Sequence, residues 1–290
     1  MQTLALGFVG VGNMGLPMTA RLLQRGYRVT VHDRDERRVK LALAAGAEPA
    51  RSPAEVARAS DIVLVCVMYT GEVEDVVFGA NGIASARGRA TLVVDHSTIE
   101  VERARAMADR LRRDANVGWV DAPVSGGPPS AAEGTLAMFV GGEARDVERA
   151  SPVLAALSRQ YTHMGPLGCG LLTKMINQMF VGACFTTMAE AATFAQRAGL
   201  DAARIPHALA GGYADSLLLQ RVWPKILARE FTPAAGYVFQ MLKDLDLVAG
   251  VARGLAVTTP MTSQAAMLYR LLVQRGGGEL DNSALTTLYE

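Results

Sequence analysis

The fold of this chain is indicated first by residues 7–15, which read GFVGVGNMG. Gly10, Gly12 and Gly15 within them match the pattern G-x-G-x-x-G, which on its own is a weak signal. Here the pattern lies between a strand-like apolar run and an amphipathic helical pattern, and that context gives it weight. The first glycine then permits a tight turn, the second lets the backbone approach a pyrophosphate, and the third allows close packing of helix on strand. The stretch predicts a dinucleotide-binding loop.

Short β-branched runs alternate with helical patterns through the first part of the chain. The strand-like runs lie at 3–10, 27–33, 61–68, 90–97 and 135–142. Such alternation predicts a parallel sheet with helices on both faces, that is, an α/β Rossmann-type domain. After about residue 165 the strand signals stop, and a helical stretch at about 168–199 is followed by further helical segments. We therefore predict a dinucleotide-binding domain at 1–164. An all-helical substrate and dimerisation domain at 165–290 would begin with a long interdomain helix.

Composition and charge narrow the class of protein. Half of the 290 residues are hydrophobic and 20% are charged, which predicts a folded protein with a real core. A net charge of +1 argues against a nucleic-acid partner. The three cysteines, Cys66, Cys169 and Cys184, form no Cys-x-x-Cys pair, so we predict no disulfide framework, no metal site and a cytoplasmic location. The first residues show no signal-peptide pattern, and the apolar run at 62–68 is too short to cross a membrane.

Two residues at the end of the second predicted strand bear on whether the cofactor is NAD or NADP. Asp33 lies about 20 residues after Gly12, where an acidic side chain accepts a hydrogen bond from the ribose 2′-OH of NAD. Arg34 follows at once and could instead hold a 2′-phosphate. Because a carboxylate next to a 2′-phosphate is repulsive, we predict NAD, with NADP as the alternative. If neither residue holds a cofactor, both are solvated turn residues.

A second glycine-containing stretch, DAPVSGG at 121–127, suits an anion. Gly126 and Gly127 follow a strand, and successive glycines can direct several backbone N–H groups to one side. The hydroxyl of Ser125 adds another donor. The stretch is therefore consistent with a carboxylate-binding site, although an ordinary glycine turn fits the pattern equally well.

Lys174 is the only Asp, Glu, Lys or Arg between Arg159 and Glu190. Burial of a lone ammonium costs several kcal/mol, so this lysine either reaches water or serves a purpose. Asn177 and Gln178 follow it at i+3 and i+4, which places all three on one face of a helix, as expected where a helix lines a cleft between domains. A lysine whose pKa is lowered by low-dielectric surroundings can take or give the proton of a reacting hydroxyl.

Several motifs together resemble one family over the whole chain. They are GFVGVGNMG, DHST at 95–98, DAPVSGGPPSAAEGTLAMFVGG at 121–142, GCGLLTKMINQ at 168–178, KDLDLV at 243–248 and the closing DNSALTTLYE. Their order and spacing are similar to those of the β-hydroxyacid dehydrogenases, which include 3-hydroxyisobutyrate dehydrogenase and tartronate semialdehyde (2-hydroxy-3-oxopropionate) reductase. The resemblance implies an NAD(P)-dependent oxidoreductase that interconverts a small β-hydroxyacid and its semialdehyde. Hydride would pass to or from nicotinamide, with lysine as the acid or base. Within the family, the resemblance favours the 2-hydroxy-3-oxopropionate reductase and 3-hydroxyisobutyrate dehydrogenase activities.

The resemblance also implies roles for individual residues. Lys174 matches the catalytic lysine, and Asn177 matches the asparagine that helps to orient the substrate. Ser125, Gly126 and Gly127 match the loop that binds the substrate carboxylate. Contacts to the cofactor are implied for a larger set: Gly10, Gly12, Asn13, Met14, Gly15, Asp33, Arg34, Met68, Tyr69, Ser97, Thr98 and Lys243.

The chain departs from the family at Met68 and Tyr69, where relatives usually have Leu-Pro after the fourth strand. The rigid proline turn is absent, which puts these two contacts in doubt. The alternative for Lys243 is a solvated lysine paired with Asp244 or Asp246. His96 lies beside the DHST segment and is expected to have a structural role.

Other functions remain open. A non-catalytic NAD(P)-binding sensor or scaffold would keep the glycine motif but should lack the lysine and the carboxylate loop. An imine reductase of similar architecture would typically replace the lysine. The long helix and an Ala- and Met-rich surface predict a homodimer or homotetramer. The expected partner is a small carboxylate-bearing substrate, with no nucleic acid and no membrane.

Overall fold

A computed structural model describes residues 4–86 and 88–290; residues 1–3, including the first residue of the predicted strand at 3–10, and Arg87 lie outside it. The chain folds into two compact units, Met1–Lys174 and Met175–Glu290. This division falls inside one long helix, ten residues beyond the predicted boundary after residue 164. The assignment of separate roles to 1–164 and 165–290 stays a prediction.

One sheet organises the first unit. Its strands are β1 (Ala5–Val9), β2 (Arg28–His32), β3 (Glu48–Pro49), β4 (Ile62–Val65), β5 (Leu92–Asp95), β6 (Gly118–Asp121), β7 (Val124–Ser125), β8 (Leu136–Gly142) and β9 (Ser158–Gly165). Their spatial order is β3-β2-β1-β4-β5-β6-β8-β7, and β9 pairs with β8. Strands β1 to β6 pair with one another in parallel, which confirms the predicted Rossmann-type sheet. The prediction did not include the antiparallel part of the sheet, in which β8 runs antiparallel to both β6 and β7.

Helices connect the strands of this unit. They are α1 (Gly15–Gln24), α2 (Glu36–Ala44), α3 (Pro53–Ala59), α4 (Thr70–Phe78), α5 (Val101–Ala115), α6 (Gly127–Glu133) and α7 (Ala144–Leu157). Local sequence sets several helix starts. Ser52, for example, accepts a hydrogen bond from the Glu55 N–H at 3.2 Å, as an N-cap does. Strand β4 is buried at every residue, as parallel strands covered on both faces are.

The strand order places a natural binding position in this unit. β1 lies between β2 and β4, so the chain crosses to opposite sides of β1 at this point. Ligands of open parallel sheets bind outside the carboxyl ends of the strands where the order reverses in this way. The glycine motif follows β1 directly and therefore lies at that position.

The second unit is helical, as predicted. Helix α8 (Cys169–Arg197) enters it from the first unit, and α9 (Ile205–Leu209), α10 (Leu217–Ala228), α11 (Val238–Gly254) and α12 (Pro260–Leu272) follow, with a final 3₁₀ helix at Asn282–Tyr289. Phe185, Trp223, Leu245 and Tyr269 belong to the apolar core of this unit. Among the helices of residues 4–86 and 88–290, none combines the length and apolar character needed to cross a bilayer.

Candidate active site

The glycine motif forms a loop that cannot carry side chains at two of its positions. Gly10 has φ +91°, and a Cβ there would lie 2.3 Å from the carbonyl oxygen of Cys66. A Cβ on Gly15 would lie 2.0 Å from the carbonyl oxygen of Gly10, so α1 packs directly against the loop. At Gly12 the bare backbone faces the Arg38 guanidinium, whose nitrogen would be 2.7 Å from an added Cβ. An open backbone at the start of a helix fits the pyrophosphate of a dinucleotide.

Asp33 is fixed beside this loop by backbone hydrogen bonds. One carboxylate oxygen accepts from the Val11 N–H at 2.9 Å, and the other accepts from the Asp35 N–H at 2.9 Å. The structure thus brings the predicted ribose acid to the glycine loop, although the two are far apart in sequence. Arg34 extends into solvent with 79% of its side chain exposed, and its guanidinium pairs with Glu72.

The turn after β4 lies at the same edge of the sheet. The Ser97 hydroxyl accepts from the Val67 N–H at 3.0 Å, which ties this turn to the segment after β5. One carboxylate oxygen of Glu72 accepts from the N–H groups of Met68 at 2.9 Å and Tyr69 at 3.2 Å. Glu72 therefore fixes the turn at Met68 and Tyr69.

His96 is buried just before Ser97, and its contacts support a structural role. Its Nδ1 lies 2.7 Å from the carbonyl oxygen of Ala122, and its ring stacks on Phe8 with centroids 6.5 Å apart. A carbonyl only accepts, so Nδ1 carries a proton and donates it to the Ala122 oxygen. Burial lowers the pKa of His96 to about 4, which keeps it neutral at physiological pH.

The predicted carboxylate loop combines a short strand with two unusual backbone conformations. Ser125 lies on β7 and pairs with Ala137 of β8. Gly126 has φ +127° and Gly127 has φ +72°, and α6 starts at Gly127. Side chains rarely allow two successive positive φ angles, so glycine is required here. Such a turn exposes backbone N–H groups toward one side.

Asp121 anchors the start of α8, and sequence reasoning did not single it out. Its carboxylate, in a residue only 1% exposed, accepts from the N–H groups of Gly168 and Leu171, both at 2.8 Å. Gly170 permits the close packing, because a Cβ there would lie 2.4 Å from the carbonyl oxygen of Phe139. Burial raises the pKa of Asp121, while these hydrogen bonds oppose that rise. The signal in the sequence that could have identified Asp121 is its position at the end of a strand, where it is the first residue of DAPVSGG.

Lys174 follows on the same helix, one turn after Gly170. Only 8% of Lys174 is exposed, which does not fit a lysine extended into bulk water. Leu171 and Met175 beside it in the helix are buried as well. The ammonium therefore lies on a largely apolar stretch of α8 whose start is fixed by Asp121.

A buried polar network joins α8 to α11 in the second unit. The Asn177 amide donates to the Gln178 side-chain oxygen at 2.9 Å, and the Gln178 amide donates to the Asp244 carboxylate at 2.5 Å. The Lys243 ammonium lies 3.0 Å from the other Asp244 oxygen, and 18% of its side chain is exposed. Two predicted residues, Asn177 and Lys243, are thus connected through Gln178 and Asp244. In the part of the chain that the structure describes, no group of three or more His, Cys, Asp or Glu side chains could hold a metal ion.

A glycine loop at the switch point of a parallel sheet, with an acid at the end of β2, defines a dinucleotide-binding protein of the Rossmann type. Family models agree over nearly the full length. One, described as the NAD binding domain of 6-phosphogluconate dehydrogenase, matches residues 5–165. The other, described as NAD-binding of NADP-dependent 3-hydroxyisobutyrate dehydrogenase, matches residues 168–289. The chain belongs to the β-hydroxyacid dehydrogenase family and is an NAD(P)-dependent oxidoreductase, as the motifs predicted.

Individual relatives match all or nearly all of the chain. A 2-hydroxy-3-oxopropionate reductase from Escherichia coli is 35% identical over 98% of this chain and 97% of its own length. An NAD-dependent L-serine dehydrogenase from Pseudomonas aeruginosa is also 35% identical over 98% of this chain and 97% of its own. The solved structure of Mycobacterium tuberculosis 3-hydroxyisobutyrate dehydrogenase with L-serine superposes with a TM-score of 0.87 at 28% identity, covering all of both chains.

Proposed function

We propose that this protein reduces tartronate semialdehyde to the corresponding β-hydroxyacid with a nicotinamide cofactor, or carries out the reverse oxidation. The 3-hydroxyisobutyrate and methylmalonate semialdehyde pair is the alternative substrate. The observation that carries the proposal is the buried Lys174 on α8, with Asn177 and Gln178 following at i+3 and i+4 on the same helix face. The names of the relatives support a small hydroxyacid as substrate.

The proposed mechanism assigns one task to each group of residues. When bound, the cofactor supplies the nicotinamide carbon that gives or receives hydride. Lys174 takes the proton from the substrate hydroxyl during oxidation and returns it to the forming alkoxide during reduction. Ser125, Gly126 and Gly127 bind the substrate carboxylate through a hydroxyl and backbone N–H groups. Asn177 orients the substrate by hydrogen bonding.

For the cofactor residues we propose the roles that the resemblance implies. The loop Gly10–Gly15, which includes Asn13 and Met14, would hold the pyrophosphate, and Asp33 the ribose. Met68, Tyr69, Ser97 and Thr98 would contact the nicotinamide half from the ends of β4 and β5. Lys243, which pairs with Asp244, is a further proposed cofactor contact.

A substrate screen tests this proposal. Tartronate semialdehyde, methylmalonate semialdehyde, succinic semialdehyde, L-threonate and L-serine are assayed with NADH or NAD and with NADPH or NADP. We expect the highest kcat/KM for tartronate semialdehyde. A higher value for methylmalonate semialdehyde would move the assignment to the alternative. No turnover of any compound, with cofactor binding intact, would instead support a non-catalytic sensor.

Imine reduction is the remaining enzymatic alternative. Imine reductases resemble this architecture but typically replace the lysine, so the buried Lys174 argues against that activity. Turnover of a cyclic imine at a rate comparable with that of the best semialdehyde would contradict the assignment.

We also propose a homodimer or homotetramer located in the cytoplasm. Ile176, Phe180 and Phe194 are 55%, 71% and 73% exposed and recur along one side of α8. Such an apolar stripe is typical of a surface that is covered in an oligomer. Cys66, Cys169 and Cys184 form no disulfide, which is consistent with a reducing compartment.

A further inference from the structure

Glu72, in the first turn of α4, contacts two segments at the sheet edge where we propose that the cofactor binds. One carboxylate oxygen accepts from the N–H groups of Met68 and Tyr69 at 2.9 and 3.2 Å. The other oxygen pairs with the Arg34 guanidinium. The Glu72 side chain is 21% exposed and the Arg34 side chain is 79% exposed. Glu72 is therefore the fixed member of this pair, and Arg34 is the long side chain that it holds.

The position of the pair relates it to the cofactor. Arg34 follows the end of β2, whereas Glu72 lies in the helix after β4, and β1 with its glycine loop lies between these two strands. The ion pair thus crosses the carboxyl end of β1, where a dinucleotide binds in such sheets. Asp33, next to Arg34, has its carboxylate fixed by the Val11 and Asp35 N–H groups.

The three arginines that follow β2, Arg34, Arg37 and Arg38, each lie near a carboxylate. Arg37 donates to Asp35 at 3.0 and 3.1 Å, and Arg38 lies 3.8 Å from the same carboxylate. Arg34 is the arginine directly next to Asp33, and it faces Glu72. A 2′-phosphate brings a charge of roughly −1.5 to −2 and is best held by a guanidinium that presents its planar fork to it. Binding NADP here would require Arg34 to leave Glu72.

We propose that Glu72 is a specificity-determining residue that holds Arg34 away from a cofactor 2′-phosphate and so selects NAD over NADP. This inference rests on the proposed cofactor role of Gly10–Gly15 and Asp33. It concerns binding of the adenosine half alone and does not depend on which hydroxyacid is the substrate. Glu72 acts through Arg34, while Asp33 repels the phosphate directly.

A double-mutant cycle tests the proposal with Glu72→Gln, Arg34→Gln and the double variant. Glutamine keeps an oxygen that can accept from the Met68 and Tyr69 N–H groups but removes the negative charge. Dissociation constants for NADH and NADPH are measured by fluorescence titration, and those for 5′-AMP and 2′,5′-ADP by calorimetry. We expect Glu72→Gln to tighten NADPH and 2′,5′-ADP about tenfold, the size of one charge-assisted hydrogen bond, and to leave NADH and 5′-AMP within about twofold.

The cycle separates the proposed role from two simpler ones. In the Arg34→Gln background the gain for NADPH should disappear, because the guanidinium is gone. An equal gain in that background would overturn the proposal, since Glu72 would then act by its own charge. Parallel weakening of NADH and NADPH in Glu72→Gln would also overturn it, because Glu72 would then only support the turn at Met68 and Tyr69.

Arg38→Gln is the matched control, since this arginine lies near the same loop but pairs with Asp35. The gain from Glu72→Gln should persist when Arg38 is replaced, and its loss would contradict the assignment to Arg34. Thermal unfolding checks that each variant is folded. If Glu72→Gln does not fold, Glu72→Ser is used in its place. Absence of turnover on every substrate, with this binding pattern intact, would contradict the proposed reaction and leave this inference standing.

Discussion

At the scale of single residues, three polar side chains of the first unit are held by hydrogen bonds to the backbone. Asp121 holds two N–H groups of α8, Asp33 holds two N–H groups near the glycine loop, and His96 holds the Ala122 carbonyl. Most of these contacts pair groups that are distant in sequence. Motifs identified the residue types, but a partner 47 or 50 residues away leaves no local pattern. Sequence therefore predicted Asp33 from its motif and missed the role of Asp121.

His96 gives a pH-dependent prediction. Its folded-state pKa of about 4 lies below the ordinary value of 6.5, so the unfolded chain binds this proton first as the pH falls. The stability that His96 contributes is fully present above pH 6.5 and is lost as the pH falls toward about 4. The loss should be about 3 kcal/mol in the free energy of unfolding, taken as an order of magnitude.

Urea unfolding between about pH 4 and pH 7.5 measures this loss, a range that spans both pKa values. His96→Asn keeps an N–H donor for the Ala122 carbonyl but does not titrate, so stability should fall less steeply with acid in that variant. Equal pH slopes for the variant and the wild type would contradict the neutral, buried imidazole.

At the scale of elements, hydrophobic patterning predicted the central strands and the long helix well. The helix expected at about 168–199 is observed at Cys169–Arg197, bounded by Gly168 and Gly199. Strand β9, Ser158–Gly165, was not predicted, because most of its residues are exposed and give no apolar period. Helix α6, at Gly127–Glu133, was hidden by its glycine and prolines, which are read as a turn.

The network between α8 and α11 gives a prediction at this scale. Gln178→Leu removes the amide that joins Asn177 to Asp244, which leaves both without that partner. We expect kcat/KM to fall roughly ten- to a hundredfold, and stability to fall by about 1–3 kcal/mol, the range for a broken buried hydrogen bond. Steady-state kinetics and urea unfolding measure the two effects.

Gln220→Leu is the matched control for this substitution. Gln220 also joins two segments, through the Pro206 carbonyl and Asp215, but has no part in the network. That variant should lose some stability and keep its kcat/KM. Equal kinetic losses in both variants would indicate that Gln178 matters only for folding.

At the scale of the whole molecule, the fold class and family followed from motif order, whereas assembly depends on surfaces that a motif does not describe. Phe180→Glu combined with Phe194→Glu places charges in the exposed stripe of α8. We expect the oligomer to dissociate toward monomer, because burying two carboxylates in an apolar interface is unfavourable. Light scattering coupled to gel filtration measures the mass of the oligomer. Leu41→Glu is the control, because Leu41 lies on α2 and is 57% exposed. An unchanged mass in the double variant would place the interface elsewhere.

The proposed reaction depends above all on proton transfer by Lys174, and the kinetics of Lys174→Ala measure that role. With the best substrate of the screen, kcat should fall by a factor of about 10² to 10⁴, the usual contribution of a general acid or base. NADH should still bind within about twofold of wild type, because the lysine acts on the substrate hydroxyl. Lys40→Ala, at an exposed lysine, should keep full activity. A Lys174→Ala variant that turns over like the wild type would contradict the proposed mechanism.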